Sequence, residues 1–313
     1  MAYTGTGQVS SDTTAFQQLA YFALRSNPMF EMVADVRSTA QSHNGSAVQF
    51  NIYNDLSQAT SALTEDSDVT PVALGDSTVT VTLAEYGNAV VTTAKLRGTS
   101  FLNVDADAAN IIGYNMVDSI DKIVSDVANG GTNVIYGGDA TARSELVAAD
   151  VITADLARKA VAELRSANAP GFENGNYIGM IHPDVAYDLR SETAVTDVIA
   201  FQIRQDSAAV RNGSIGVFCG IKSIENPRAG LVADGGSGNV DAYQTLICGR
   251  QALAKAFSRA PGFGEDPSVI FGPVTDTLRR FNPVGWYHLV GYGRFREAAL
   301  QRIETASSIG ANS

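Results

Sequence analysis

The sequence is poor in the residues that usually carry chemistry. Three histidines stand at 43, 182 and 288, and two cysteines at 219 and 248. The histidines lack the spacing of a metal site, and the cysteines form no Cys-x-x-Cys pair. Two thiols in 313 residues, each inside an apolar run, argue against a disulfide framework and read as buried free thiols of a reducing cytoplasm. There is no Gly-x-Ser-x-Gly elbow and no Gly-x-x-x-x-Gly-Lys phosphate loop. Gly235-Gly236-Ser237-Gly238 has the composition of a phosphate cradle, but Asn239-Val240 follows it rather than a helix, so it reads as a surface loop. Glu265-Asp266 has no cationic or histidine neighbour in sequence. It is a solvated turn, or else one contributor to a cation site. His182-Pro183-Asp184 reads as a turn and cap before a helix. Neither an enzyme nor a cofactor is expected.

Long apolar runs are missing too. No stretch of 18 apolar residues exists, which excludes a membrane-spanning helix. Met1 to Ser11 has neither a basic start nor an apolar run, so no signal peptide is expected. Positive charge is scarce: 22 Lys and Arg stand against 33 Asp and Glu, a net −11. That balance argues against tight binding to nucleic acid through phosphates, and basic residues do not cluster with aromatics as a nucleic-acid groove needs. The deficit is local. Residues 1–142 hold 5 basic and 15 acidic residues, whereas residues 250–313 hold 8 and 5. No Lys or Arg occurs between Arg37 and Lys95. The acids are either a solvated face or the acidic end of one copy meeting the basic end of another.

What the chain does have is one long periodic stretch. Ala108, Ile111, Ile112, Met116, Ile120, Ile123, Val124 and Val127 recur at steps of three and four, which predicts a helix over 105–130. Asp105 is its expected N-cap and Gly130-Gly131 its left-handed stop. Asp118, Asp121 and Asp126 fall on the polar side. An ordinary core helix accounts for the pattern, but about 25 residues at ~1.5 Å each make a rod of roughly 37 Å, long for a domain of this size.

Before it, Val48, Phe50 and Ile52 alternate with polar residues, as do Thr78 to Leu83. Glu85-Tyr86-Gly87 interrupts, and Ala89 to Thr93 resumes β-prone composition. Asn54 to Ser77 is a long, acidic connection, either a surface insertion or a segment that reaches outside its own domain. Residues 1–44 read as an arm. Phe16, Leu19, Phe22 and Leu24 form a short amphipathic helix, followed by Phe30, Met32, Val33 and Val36. These anchors need a surface, in the same subunit or a neighbour.

After the long helix, Asn129 to Arg143 reads as a linker. Thr153 caps a helix to about Ala167. Tyr177 to His182 is a strand, and Pro183 opens the next helix. Val195 to Gln205 is predicted helical, Ile215 to Ile224 strand-like, and Gly230 to Asn239 a loop. Tyr243 to Cys248 is a strand and Gln251 to Arg259 a short helix. Val269 to Gly272, Trp286 to Tyr292 and Ala298 to Ile303 are further strands. The order gives an α+β protein.

Several pieces resemble one family of tailed-phage major capsid proteins. They are Phe50-Asn51-Ile52-Tyr53-Asn54-Asp55-Leu56, Ala62-Leu63-Thr64-Glu65, Val79 to Val91, Tyr177 to Pro183, Gly213-Ser214-Ile215-Gly216, Gly285-Trp286-Tyr287 and Arg302-Ile303-Glu304. They keep their order over roughly residues 45–308. The resemblance implies the Hong Kong 97-type capsid fold. It would comprise an N-terminal arm (1–44), an extended E-loop hairpin (45–98) and a peripheral domain with the long spine helix (99–144). An axial domain (145–270) and C-terminal strands returning to the peripheral domain (271–313) complete it. It implies a subunit that self-assembles as hexamers and pentamers into an icosahedral shell around double-stranded DNA, without sequence-specific binding. A portal, a separate scaffolding protein and a decoration protein are the implied partners. The implied location is the virion capsid, assembled in the host bacterial cytoplasm. Some relatives join subunits through an E-loop lysine, and here no amine donor is available there.

The expected inter-subunit contacts are Phe16, Leu19, Phe22, Leu63 and Val69 as apolar anchors. Asp55, Glu65, Asp66, Asp68 and Asp76 are expected to face Arg279, Arg280, Arg294 and Arg296 of a neighbour. Two alternatives stand beside this reading: an encapsulin-type compartment of the same fold, and a monomeric surface binding module.

Overall fold

Three alternating segments and one long amphipathic helix set the architecture. The computed structural model of the chain describes residues 29–38, 45–63, 65–66, 68–100, 104–191, 216–259, 264–272, 276–278 and 280–309. The predicted arm helix with Phe16, Leu19 and Phe22, the predicted helix at 195–205, and Arg279 lie outside the described residues.

In chain order the elements are β1 (Ala34–Ser38), β2 (Ala47–Tyr53), β3 (Asp76–Thr82), β4 (Ala84–Thr93), α1 (Ala94–Thr99) and α2 (Val104–Asn129). Next come β5 (Val134–Tyr136), α3 (Ala154–Ser166), β6 (Tyr177–Ile181), α4 (Pro183–Ser191), β7 (Val217–Phe218), β8 (Ile221–Glu225) and β9 (Gly230–Val232). The chain ends with β10 (Ala242–Cys248), β11 (Leu253–Phe257), β12 (Ser268–Phe271), β13 (Phe281–Arg294) and β14 (Leu300–Thr305). The described residues divide into two units. The smaller holds Gly87–Met116 and Ser268–Tyr287; the larger holds the rest.

In the larger unit, one sheet runs β5-β14-β10-β6-β8-β7, with β9 also paired to β10. At its centre every residue of β6, β10 and β14 is buried. A carboxylate lies in that interior. Glu304 on β14 accepts from Arg143 Nε (2.8 Å) and Nη2 (2.6 Å) and from Gln244 Nε2 (3.0 Å), with the Arg302 guanidinium 2.8 Å away. Burial pushes its carboxyl up. The bonds from Arg143 and Gln244 and the two guanidinium charges outweigh that and hold it below the usual range. The stretch expected to be a linker is thus structural. It supplies Arg143 and also β5, which pairs in parallel with β14. Thr153 caps α3 as expected, its hydroxyl accepting from Leu156 N at 3.3 Å.

In the same unit β11 lies between β1, parallel, and residues 290–294 of β13, antiparallel. The helix expected at Gln251–Arg259 is therefore a strand. Helix-prone Ala254 and Ala256 are placed there by packing rather than by propensity, because they floor the β2–β3 hairpin. Phe50 and Val81 of the hairpin pack on Ala254, Ala256 and Phe295, with the Phe50 and Phe295 rings 5.3 Å apart. Gly291 and Gly293 allow the approach. A Cβ at Gly291 would collide with the Thr82 carbonyl oxygen, and one at Gly293 would stand 2.8 Å from a Val81 methyl.

Residues 29–33 are tied to this unit. Phe30 and Val33 are buried, and Asp121 of α2 accepts from Met29 N and Phe30 N at 2.8 Å each. Glu31 receives Lys255 Nζ at 2.6 Å and the Tyr292 hydroxyl at 2.8 Å. The period puts Asp121 on the polar side of α2, facing a shell surface or a subunit boundary; it is instead buried in its own subunit. The inward stripe of α2 runs through Ile112, Ile120, Asp121, Val124, Ser125 and Ala128, leaving Ile111 exposed.

Other local expectations change for local reasons. The strand interruption falls at Leu83, and β4 runs unbroken through Gly87, where a Cβ would stand 2.7 Å from the Trp286 carbonyl oxygen. Asp105 lies in the first turn of α2 instead of capping it. There it accepts from the Thr92 hydroxyl (2.9 Å) and pairs with Arg97 (3.6 Å). Neither Gly130 nor Gly131 has positive φ. At Gly130 the Arg294 guanidinium takes the space of a side chain, 2.6 Å from where a Cβ would stand. Residues 217–225 form a hairpin turned by Cys219 and Gly220, both at positive φ, rather than one strand. Gly230–Val232 is a strand, and 297–299 is a 3-10 turn before β14. Both cysteines are free, and burial pushes the Cys248 thiol up to about 12.

Two outcomes are expected. Glu304→Gln leaves the buried Arg302 guanidinium and the partly exposed Arg143 without their carboxylate, so it should cost about 3–5 kcal/mol. Because the folded carboxyl sits below its ordinary value of 4.5, Glu304 stabilises fully above that value and loses its contribution as pH falls through the lowered one. Thermal melting from pH 7 to 3 should therefore show a shallower acid loss in the variant than in the parent. Gly291→Ala should lower stability by about 1–3 kcal/mol through overpacking, read by denaturant unfolding.

Candidate assembly surfaces

The β2–β3 ladder runs from Ala47↔Thr82 to Tyr53↔Asp76, and Asn54 N donates to Gly75 O at 2.9 Å to close its end. Beyond that closure the chain has no regular structure and every described side chain is exposed. Asp55, Glu65, Asp66, Asp68 and Asp76 all face solvent, and Asp68 turns back to accept from Val69 N at 2.8 Å. Leu63 is 76% exposed and Val69 54%. Tyr53, Leu56, Val72 and Leu74 are exposed as well, and the sequence analysis missed them. The signal was present: large apolar residues spaced through an acidic segment without one cation.

A free loop of polar residues needs no explanation. Six large apolar side chains held in water do, because burying each is worth about 1.5–3 kcal/mol. Such a surface is unusual unless something covers it.

The expected cationic partners are arranged differently. Arg280 is exposed and bonds Asp276 at 2.8 Å, which holds that carboxyl below its usual range. Arg294 is half-buried, bonded to Glu297 at 2.8 Å and to the Val127 carbonyl at 3.2 Å, so it braces the end of α2 in its own subunit. Arg296 is exposed, its guanidinium 5.9 Å from the centre of the Phe295 ring. Arg296 presents its cation outward, whereas Arg280 is paired with Asp276 and Arg294 with Glu297.

A second surface lies in the smaller unit. There β12 pairs with residues 284–287 of β13, and β4 also pairs with β13. Asn115 of α2 accepts from Trp286 Nε1 (3.0 Å) and Asn88 Nδ2 (3.2 Å), fixing the helix to this sheet. Val284 and Trp286 are buried, but Gly285 between them opens onto a groove of about 530 Å³. Ala89, Ile270, Pro283 and Tyr287 line it with three glycines.

The residues that resemble catalytic groups are bound up in packing. Asp184 accepts from the Tyr243 hydroxyl at 2.9 Å, and His182 lies 3.4 Å from the same carboxylate. Burial lowers the His182 imidazole and raises the Tyr243 hydroxyl. Among the described residues no group of three or more His, Cys, Asp or Glu side chains could hold a metal ion, and no helix is long and apolar enough to cross a membrane.

Known proteins agree with an assembly role. A family model described as phage capsid protein matches residues 5–309. The fold resembles the capsid of Ralstonia phage GP4 (TM-score 0.75, 15% identity, 98% of each chain covered). It also resembles the capsid of the cyanophage P-SCSP1u (0.74, 17%, 97% of this chain and 96% of that one). The Helicobacter pylori bacteriophage KHP30 capsid is similar too (0.72, 13%, 98% and 99%). No curated protein matches by sequence. A family match across nearly the whole chain, with these folds beside it, makes this chain a member of the phage capsid protein family.

Proposed function

We propose that this chain is the major capsid protein of a tailed phage. Copies of it build the icosahedral shell, as hexamers and pentamers, around double-stranded DNA. The observation that carries this is the exposed loop at 54–75, acidic and studded with apolar side chains, on a hairpin whose root is rigidly packed. Apolar contacts supply the affinity, set against the entropy of ordering the loop. The ion pairs, each worth about 0–1 kcal/mol when exposed, set register.

On this reading residues 1–44 are the arm, 45–98 the E-loop hairpin and 99–144 the peripheral domain with its spine helix. Residues 145–270 are the axial domain and 271–313 the returning strands. Phe16, Leu19 and Phe22 anchor the arm. Asp55, Glu65, Asp66, Asp68 and Asp76 face Arg279, Arg280 and Arg296 of a neighbour, with Arg294 a lesser contributor. Subunits are joined non-covalently, because the loop has no lysine. A portal, a separate scaffolding protein and a decoration protein are the other proposed partners, and assembly takes place in the host cytoplasm. The role is structural rather than enzymatic. The acidic chain suits a container that must release its DNA.

Electron microscopy of the purified particle tests the reading. Closed icosahedral shells filled with DNA are expected. A monomer, or shells filled with protein cargo, would overturn it. Converting Asp55, Glu65, Asp66, Asp68 and Asp76 to their amides should leave the subunit folded by circular dichroism. It should also raise the fraction of aberrant particles and weaken the salt dependence of assembly.

A further inference from the structure

A cavity of about 270 Å³ lies in the larger unit, between α2 and the turn into β9. Asp121 and Ser125, one helical turn apart on α2, form a polar wall. Phe30, Ala229 and Leu231 form an apolar one. Asp121 and Ser125 are each only 3% exposed.

The Asp121 carboxylate spends one oxygen on the fold. Its Oδ1 accepts from both Met29 N and Phe30 N at 2.8 Å. Among the described residues nothing donates to Oδ2. A buried carboxylate oxygen without a donor is costly, and burial pushes this carboxyl up. The cations on the rim are committed elsewhere: Lys122 pairs with Asp126, and Arg228 with Asp118. Glu31, whose charge also acts on Asp121, is paired with Lys255. These pairs cancel, so the charge of Asp121 is left uncompensated beside the cavity. Ser125 Oγ accepts from Asn129 Nδ2 at 3.2 Å and keeps a second lone pair.

These features discriminate among cations. A guanidinium is best matched by both oxygens of a carboxylate, and here one is taken. Calcium needs a cage of oxygen ligands, whereas among the described residues no group of three or more His, Cys, Asp or Glu could hold a metal ion. An ammonium is a compact charge with rotatable donors, suited to a single carboxylate oxygen and a hydroxyl. The apolar wall suits a methylene stem behind it.

We propose that this cavity binds a primary alkylammonium group. The ammonium donates to Asp121 Oδ2 and Ser125 Oγ, and the stem lies against Phe30 and Leu231. A free small amine and a lysine side chain of a neighbouring copy share this chemistry. Because the same carboxylate holds Met29 N and Phe30 N through Oδ1, occupancy tightens the turn before β1. The site stands independently of the shell reading.

The test titrates dissociated wild-type subunits with n-butylamine hydrochloride near neutral pH and at constant ionic strength. Hydrogen exchange of the amides at 29–33 and thermal melting are the readouts. Saturable slowing of exchange is expected, roughly tenfold at about nine times the dissociation constant, because protection grows as one plus the ratio of ligand to that constant. Tetramethylammonium has the charge without an N–H, and 1-butanol has the stem without the charge; neither should reproduce the response. Asp121→Asn keeps a carbonyl oxygen for Met29 N and Phe30 N. It should stay folded by circular dichroism and lose the response. An equal response to either control compound, or no saturable response of the wild type, would overturn the proposal whether or not the variant folds. So would an undiminished response in folded Asp121→Asn. Assembled shells separate the two sources. A response equal to that of subunits points to a free amine, and loss of the response on assembly points to a neighbour's lysine already in place.

Discussion

The close approach of the β2–β3 hairpin to β11 and β13 is the constraint on which the rest depends. It is a contact made by what is missing. Gly291, Gly293, Ala254 and Ala256 offer almost no side chain, so Phe50 and Val81 can sit directly on the sheet. Burying two large side chains on such a surface contributes several kcal/mol, at about 1.5–3 kcal/mol each. That fixes the hairpin root in position and direction. A long irregular loop has little defined reach unless its base is rigid, because its entropy spreads the tip over many positions. Here the ladder continues to Tyr53↔Asp76 before the loop begins, so irregular backbone is confined to the far end.

Charge follows the same division. Inside the subunit, buried charges are compensated: Glu304 by two arginines and Lys255 by Glu31. Removing one partner of such a pair leaves an expensive buried charge, so these groups enforce a single folded arrangement. In the loop the carboxylates are uncompensated and solvated. They contribute nothing to folding and oppose self-association of loop with loop. A group that opposes folding weakly and dimerisation by like contacts, yet sits among exposed leucines and valines, makes physical sense when the complementary surface belongs elsewhere.

The elements governed by local rules were legible in the sequence. The α2 period, the alternation of β2 and β3, the Thr153 cap and Pro183 at a helix start all depend on neighbours within a few residues. What was not legible depended on distant contacts. Leu253–Phe257 has alanines that favour a helix, and only its place between β1 and β13 makes it a strand. Gly87 looked like a chain breaker, but its reason is a carbonyl far away in sequence. The candidate surface was half legible. Its acidity and length were plain, whereas the glycine-floored groove combines residues near 88, 271 and 285 that no local pattern links.

Asp121 shows why such misses concentrate on polar residues. Periodicity put it on the water-facing side of α2, since a carboxylate inside is costly. Burial does push its carboxyl up, against the two backbone N–H groups of Met29 and Phe30 that favour the charged form. An apolar residue there would pack more cheaply but would leave both N–H groups without an acceptor, at about 1–3 kcal/mol each. The carboxylate is tolerated because it satisfies two donors at the turn before β1. With Phe30 and Val33 buried beside it, that junction has one geometry. The long helix is thus more than a stiff element: its buried aspartate fixes where Met29 and Phe30 meet it.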